Sequence, residues 1–206
     1  MKAAEPKRLL RGEVLFREGE PGESCYWVMK GALKISVTSI KGDERVFALL
    51  GPGSVVGELA ILDDRPRSAT ATAFSDTNLT VLKRAALRMY LRRNPSVWAD
   101  LVAVLVGRLR EADKALSADS FLPLQARVAR VVLGLCDQVG EPGHGPDIFL
   151  LPNTVSQHDI GAMAGVARES VSRVLSEWKR RGIVVRDQQK GLRLNRSMLE
   201  YEAATS

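Results

Sequence analysis

Cysteine, histidine and aromatic residues are scarce in this 206-residue chain, and each scarcity excludes something. Two cysteines, Cys25 and Cys136, cannot build a disulfide scaffold or a four-cysteine metal cluster, and they point to a reducing compartment. The two histidines, His144 and His158, stand near no serine or cysteine nucleophile pattern. No spacing suits a metal either, so no catalytic constellation is present and an enzyme is not expected. Aromatics make up only 5%, which leaves aliphatic side chains to fill the core. No apolar run approaches the ~20 residues of a membrane span, and Met1-Lys2-Ala3-Ala4-Glu5-Pro6 is no signal peptide. A cytoplasmic protein without a membrane partner is expected. What is present is an ordinary globular balance of 45% hydrophobic and 26% charged residues. Thirty Lys+Arg against 24 Asp+Glu give a net +6, a mild basic surplus that suggests a polyanionic partner.

From residue 8 to about 93 the pattern is β-rich and punctuated by glycine. Gly12, Gly19, Gly22, Gly31, Gly42, Gly51, Gly53 and Gly57 recur at hairpin intervals. Leu33, Ile35 and Val37 alternate with polar residues, as a half-buried strand should. Many short strands with regular turns predict a sandwich or barrel-like roll.

The period then changes. Trp98, Val102, Leu105, Leu109, Ala112 and Leu116 recur at alternating spacings of four and three, the seam of a coiled coil. A second stripe, Val97, Leu101 and Val104, lies beside it and is expected to pack on the roll. A single core helix in a monomer is the other reading of this spacing. Phe121-Leu122-Pro123 breaks the helix, because proline lacks the interior N–H.

Beyond the break, Gln125–Gln138 is helical in period and Ile148–Leu151 reads as a strand. Ser156 is a good N-cap for a helix from Gln157 to Ala164; Gly165-Val166-Ala167 turns the chain, and a second helix runs from Arg168 to about Arg181. A closing hairpin surrounds Gly191. Ile160, Val166, Val171, Val174, Leu175 and Trp178 are expected to share one core, with Arg168, Glu169, Ser172, Arg173 and Ser176 on the opposite face. From Val166 to Arg196 nine basic residues stand against three acidic ones. Two short helices, a glycine turn and a basic outer face describe a helix-turn-helix. Arginine forks suit guanine O6 and N7, and a glutamate suits cytosine N4, so Arg168, Glu169 and Arg173 are the expected base readers. Arg180, Arg181, Arg186 and Lys190 are expected to face water or phosphate.

The segment from Val55 to Thr70 is the other dense stretch. A glycine followed by a short helical turn, Gly57-Glu58-Leu59-Ala60, presents backbone N–H groups to an anion. Arg67 offers a planar fork to a phosphate, the Ser68 hydroxyl and Ala69 amide complete the cradle, and Glu58 accepts from a sugar hydroxyl.

Gly57-Glu58-Leu59-Ala60 with Pro66-Arg67-Ser68-Ala69 closely resembles the phosphate-binding cassette of cyclic-nucleotide-binding domains. Ser156 through Ile183 resembles the helix-turn-helix of the CRP/FNR family of bacterial transcription factors. The resemblance implies an α+β fold: an antiparallel, jelly-roll-like β-roll over 1–94, a central dimerisation helix over 95–120, and a winged helix-turn-helix domain over 121–206. It implies a homodimer switched by a cyclic nucleotide, cyclic AMP or cyclic GMP, that binds a palindromic operator with TGTGA-type half-sites and partners RNA polymerase. Glu58 then holds the ribose, Arg67 the cyclic phosphate, and Ser170 a DNA phosphate. Ala112 and Asp113 stand where the enteric activator has the hydroxyl pair that holds adenine. Asp113, whose ionised carboxylate only accepts, matches the adjacent N1–H and N2–H₂ donors of guanine on the opposite subunit's ligand. Nothing resembles the iron–sulfur cysteines or the haem ligands of other family branches, so no metal, haem or cluster is expected. Two alternatives stand beside this reading. One is the same architecture with a vestigial cassette or a cyclic-dinucleotide signal. The other is a regulatory subunit that inhibits an enzyme partner, against which the helix-turn-helix speaks.

Overall fold

In the computed structural model, residues 4–145, 147–187 and 191–204 are described, with the side chains of residues 4, 115, 116 and 118–120 left aside. The predicted DNA contact Lys190 and the side chain of the seam residue Leu116 therefore lie outside the described residues. The chain divides into two compact units, Met1–Ala112 and Asp113–Ser206.

The first unit is two four-stranded antiparallel sheets. Strands β1 (Ala4–Leu9), β8 (Thr77–Lys83), β3 (Ser24–Lys30) and β6 (Val55–Val56) form one; β2 (Val14–Phe16), β7 (Thr70–Ala73), β4 (Leu33–Thr38) and β5 (Glu44–Leu50) form the other. Leu9, Phe16, Val28, Leu33, Val56, Ala71, Ala73 and Leu79 make the core between them. The roll is thus built from alternate inward-facing residues of short strands, as predicted. The alternation is interrupted where the pairing shifts, as in β3 and β4. A register shift in the β4–β5 pairing at Ile35/Ser36 interrupts the pattern, and Ser36 is buried while Val37 is only half-buried.

Two helical features belong to the same unit. A single turn, α1 (Leu59–Leu62), follows β6, and α2 (Arg84–Arg93) follows β8. The sequence reading had residues 84–93 in the β-rich stretch; they are a helix, anchored by buried Leu91. Next comes α3 (Val97–Phe121), and the division between the units falls within it. Val97, Leu101, Leu105 and Arg108 are the half-buried positions of its first half, whereas Val104 is 48% exposed. The inner stripe is therefore Val97–Leu101–Leu105–Arg108 rather than Val97–Leu101–Val104: at about 100° per residue these four share one arc of the helix and Val104 falls outside it, on the side away from Leu105.

The second unit begins its own core with α4 (Leu124–Val139), whose start falls after Pro123. A sheet in the order β11 (Val184–Asp187), β12 (Gly191–Asn195), β10 (Ile148–Leu151), β9 (Glu141–Pro142) supports α5 (Gln157–Ala164) and α6 (Arg168–Arg180). The chain closes with α7 (Arg196–Ala204), which the sequence reading did not anticipate. Ile160, Val171, Val174, Leu175 and Trp178 are buried together with Val128, Val132 and Leu199; Val166 is half-buried, at the turn rather than in the core.

Candidate functional site

In the first unit, Gly57 turns the chain with φ +80° between β6 and α1, a conformation that a side chain resists. The turn delivers Glu58 inward, to 2% exposure, and α1 with the following loop carries Arg67 back to 5% exposure. Phe16, Gly57, Glu58, Arg67, Ser68 and Arg108 are among the residues that line a cleft of about 390 Å³, with Leu59 and Ala69 also on its wall. Every cassette residue singled out in the sequence is thus brought to one place.

Glu58 and Arg67 are not paired with each other. Arg67 donates through its terminal nitrogens to the carbonyls of Gly57 and Ser24, each at 2.6 Å, and its guanidinium lies 4.2 Å from the Phe16 ring centre. Its buried Nε has no hydrogen-bond partner, and among the described residues it makes no ion pair. Burial pulls Arg67 below the usual arginine range. A guanidinium in this state is a buried positive charge without an ion-pair contact, acted on by Glu58 only through space, the condition that an anionic ligand relieves. Glu58 instead accepts from Arg108 at 2.6 Å, and Arg108 also donates to the Val55 carbonyl. Arg108 was missed in the sequence, where α3 was read for its seam. Its place in the 97–101–105–108 stripe is the signal that would have found it. Cys25, beside these groups, is pushed up to about 11, chiefly by burial and then by Glu58, so it is a neutral thiol at physiological pH. Asp113 is exposed at the start of the second unit and is not among the residues lining this cleft.

The second unit presents a different surface. Ser156 accepts from the Asp159 amide at 3.1 Å while Asp159 accepts from the Ser156 amide, a reciprocal cap that fixes the start of α5. Gly165, at φ +63°, ends it, and the Val166 amide bonds back to the Gly161 carbonyl at 3.0 Å. Arg127 of α4 holds this turn from behind, donating to the carbonyls of Ala164 and Gly165. The turn leads α6 out with Val171, Val174, Leu175 and Trp178 buried and Arg168, Glu169 and Arg173 exposed; Ser170 and Ser172 are half-buried. Arg173 donates to the Ser170 hydroxyl at 3.1 Å. A groove of about 950 Å³ runs beside α6, lined among others by Asn153, Gln157, Arg168, Ser172, Lys179 and Arg186. At the far end of α6, Glu202 of α7 is 7% exposed and accepts from the Trp178 indole at 3.2 Å and from Arg181 at 2.6 Å.

A roll with a buried, anion-ready arginine, followed by a helix-turn-helix with an exposed basic face, defines a ligand-responsive class of DNA-binding regulator. Comparison with known proteins agrees. Residues 6–94 match the cyclic nucleotide-binding domain family, and residues 126–201 match the Crp-like helix-turn-helix domain. The chain is 40% identical over 174 residues to the cyclic AMP receptor protein of Thermus thermophilus, covering 84% of this chain and 76% of that one. It is 31% identical over 181 residues to the CRP-like cAMP-activated global transcriptional regulator of Mycobacterium tuberculosis, covering 88% and 80%. Among solved structures, FixK2 from Bradyrhizobium japonicum superposes with a TM-score of 0.82 at 25% identity over 98% of both chains. The chain belongs to the CRP family of transcription regulators, with a cyclic nucleotide-binding domain and a helix-turn-helix, and is not an enzyme. Among the described residues, no helix is long and apolar enough to cross a membrane and no group of side chains is arranged to hold a metal.

Proposed function

We propose that the protein is a homodimeric regulator whose affinity for a palindromic operator is set by a cyclic nucleotide in the first unit's cleft. The observation that carries this reading is Arg67: buried, desolvated, without an ion pair among the described residues, and on the wall of the same cleft as Glu58. A cyclic phosphate supplies the missing charge, and a ribose hydroxyl shares Glu58 with Arg108. Cyclic AMP is the effector put forward, since the relatives from T. thermophilus and M. tuberculosis carry it in their names. Cyclic GMP is its rival through the guanine match of Asp113.

Dimerisation is proposed on α3. Trp98, Val102 and Leu109 of the seam are 45%, 53% and 62% exposed, Ala112 is exposed and Leu105 half-buried. An apolar row of this kind is covered by a partner in solution, and a second copy lays the same row against it. Two copies of α6 then meet half-sites roughly 34–36 Å apart, one turn of DNA. Arg168, Glu169 and Arg173 are the base readers, Ser170 and Ser172 phosphate or base contacts, and the α3 seam carries the ligand's effect between the units. Lys190 is proposed as a phosphate contact and RNA polymerase as a further partner, both on the family resemblance. A cleft that serves another signal, such as a cyclic dinucleotide, is the competing reading, favoured by the engagement of Glu58 with Arg108.

Calorimetric titration of cyclic AMP, cyclic GMP and a cyclic dinucleotide into wild type, Arg67→Ala and Asp113→Ala tests these readings together. Arg67→Ala is expected to lose about 3 kcal/mol or more of nucleotide binding, on the order of a hundredfold, while folding normally. Equal affinity in wild type and Arg67→Ala sinks the site. A selective loss of cyclic GMP in Asp113→Ala assigns the base contact; a clear preference for cyclic AMP that the substitution leaves unchanged removes it.

A further inference from the structure

Asp64 has the only positive φ, +58°, among the described residues that are not glycine. It lies just past the C-terminal end of α1, on the loop that leads from Glu58 to Arg67. Its two carboxylate oxygens are divided between two arginines of α2: Oδ1 accepts from Arg84, and Oδ2 accepts from Arg88 at 2.7 Å. The same arginines reach further. Arg84 donates to the carbonyls of Gly22, at 2.5 Å, and Ala60, at 3.1 Å, while Arg88 donates to the Ile61 carbonyl at 2.9 Å. The main-chain amide of Arg84 donates to the Glu23 carbonyl at 2.9 Å.

These bonds do three things at once. They satisfy carbonyls at the end of α1 that the single turn leaves unpaired. They pin Asp64 in the left-handed conformation, which aspartate tolerates better than most residues but still at a cost. And they join α1 to the Gly22–Ser24 segment, the segment whose Ser24 carbonyl holds Arg67. A Cβ on Gly22 would come within 3.0 Å of the Arg67 guanidinium carbon, so this segment is packed directly against the phosphate-binding arginine. Two arginine forks therefore tie the same two segments together: Arg67 through Gly57 and Ser24, Arg84 through Ala60 and Gly22.

We propose that Asp64, bridging Arg84 and Arg88, is a positioning residue for nucleotide binding: it holds α1 and its loop so that Glu58 and Arg67 meet the ligand in one fixed arrangement. It touches no ligand itself. The inference rests on the cyclic-nucleotide reading of the cleft and adds α2 as the element that sets its shape. Arginine neighbours hold the Asp64 carboxyl below the usual carboxylate range, which keeps the bridge charged at neutral pH.

The test is nucleotide titration of the full chain with cyclic AMP and cyclic GMP, for wild type, Asp64→Asn, Asp64→Gly, Arg88→Gln, and the double variant Asp64→Asn/Arg88→Gln. Asn keeps the shape and the tolerance of positive φ but loses the charge; Gly removes the backbone strain and the bridge together. Melting of the unliganded proteins is followed alongside. Both Asp64 variants should bind about threefold to tenfold more weakly, with Asp64→Gly no better than Asp64→Asn, as expected for exposed but charge-assisted bonds. The double variant should bind less weakly than the product of the two single losses predicts, since both changes break the shared Asp64–Arg88 bond, while the Arg84–Asp64 and Arg88–Ile61 bonds are each lost in one of them only. A general loss of stability would lower the melting temperatures without producing that non-additivity in affinity. Wild-type affinity in Asp64→Asn, or recovery of it in Asp64→Gly, overturns the positioning role while leaving the cleft intact. A wild type that binds neither nucleotide overturns the cleft reading, and this inference with it.

Discussion

The cleft and the reading helix put arginines to opposite uses. In the roll, Arg67 is buried against Phe16 with its donors turned to backbone carbonyls, and Glu58 is buried against Arg108. In the second unit, Arg168, Glu169 and Arg173 stand in solvent, and the burial is on the reverse of the same helix, at Val171, Val174, Leu175 and Trp178. The first arrangement stores unmet electrostatic demand in a dry place, so a ligand that meets it must rearrange bonds already made. The second keeps its charges hydrated and invests its packing in aim: α6 is held at its head by Arg127 under the turn and at its tail by Glu202 under Trp178. A site that exchanges partners suits a switch, and a site that only has to be held straight suits a reader.

The contrast breaks most visibly at Trp178, which is fully buried. Trp178→Ala should cost the second unit about 3–5 kcal/mol and abolish operator binding. Nucleotide affinity in the first unit should survive, as titration of the same preparation will reveal; parallel loss of both would mean that the cleft depends on the reader's core. Leu109→Asp acts between copies rather than within one. Sedimentation should find monomers, operator affinity should fall about a hundredfold or more as the two half-sites cease to be read together, and nucleotide binding per chain should persist. A variant that still sediments as a dimer removes α3 from the interface. The smallest effect sharpens the reader itself. Arg173→Ala should lose about 1–3 kcal/mol of operator binding and relax base preference at one position per half-site, which selection of binding sites from random DNA would detect. An unchanged preferred sequence would make Arg173 a phosphate contact.

Legibility in the sequence followed how locally each feature is encoded. The helix Gln157–Ala164 could be read residue by residue, because Ser156 and Gly165 mark its two ends and both act within three or four residues. The cassette was legible for the same reason: Gly57 to Ala69 is one continuous segment. Helix α2 was not, since Lys83 at its start gives no side-chain cap and no glycine or proline marks the change of period after β8. The missed α7 did carry a signal, Asn195, whose side chain accepts from the Met198 amide at 3.0 Å. What local pattern cannot encode is a contact twenty to fifty residues away. Arg108 on Glu58, and Arg84 and Arg88 on Asp64, are long-range pairings that only the folded roll creates. The helix α3 was visible by its spacing, while its inner face had to be corrected by one position, from Val104 to Leu105.

The burial of Glu202 has a consequence for the gene as well as for the protein. The carboxylate that braces α6 from below sits on α7, where it binds Trp178 and Arg181 rather than any of the exposed residues Arg168, Glu169 and Arg173. A missense change such as Glu202→Ala would spare the roll, the cassette and the exposed side chains of α6, yet withdraw the support beneath them. In a genetic screen such an allele would score as blind to its operator while still responsive to its ligand, with no altered residue in either surface to explain it.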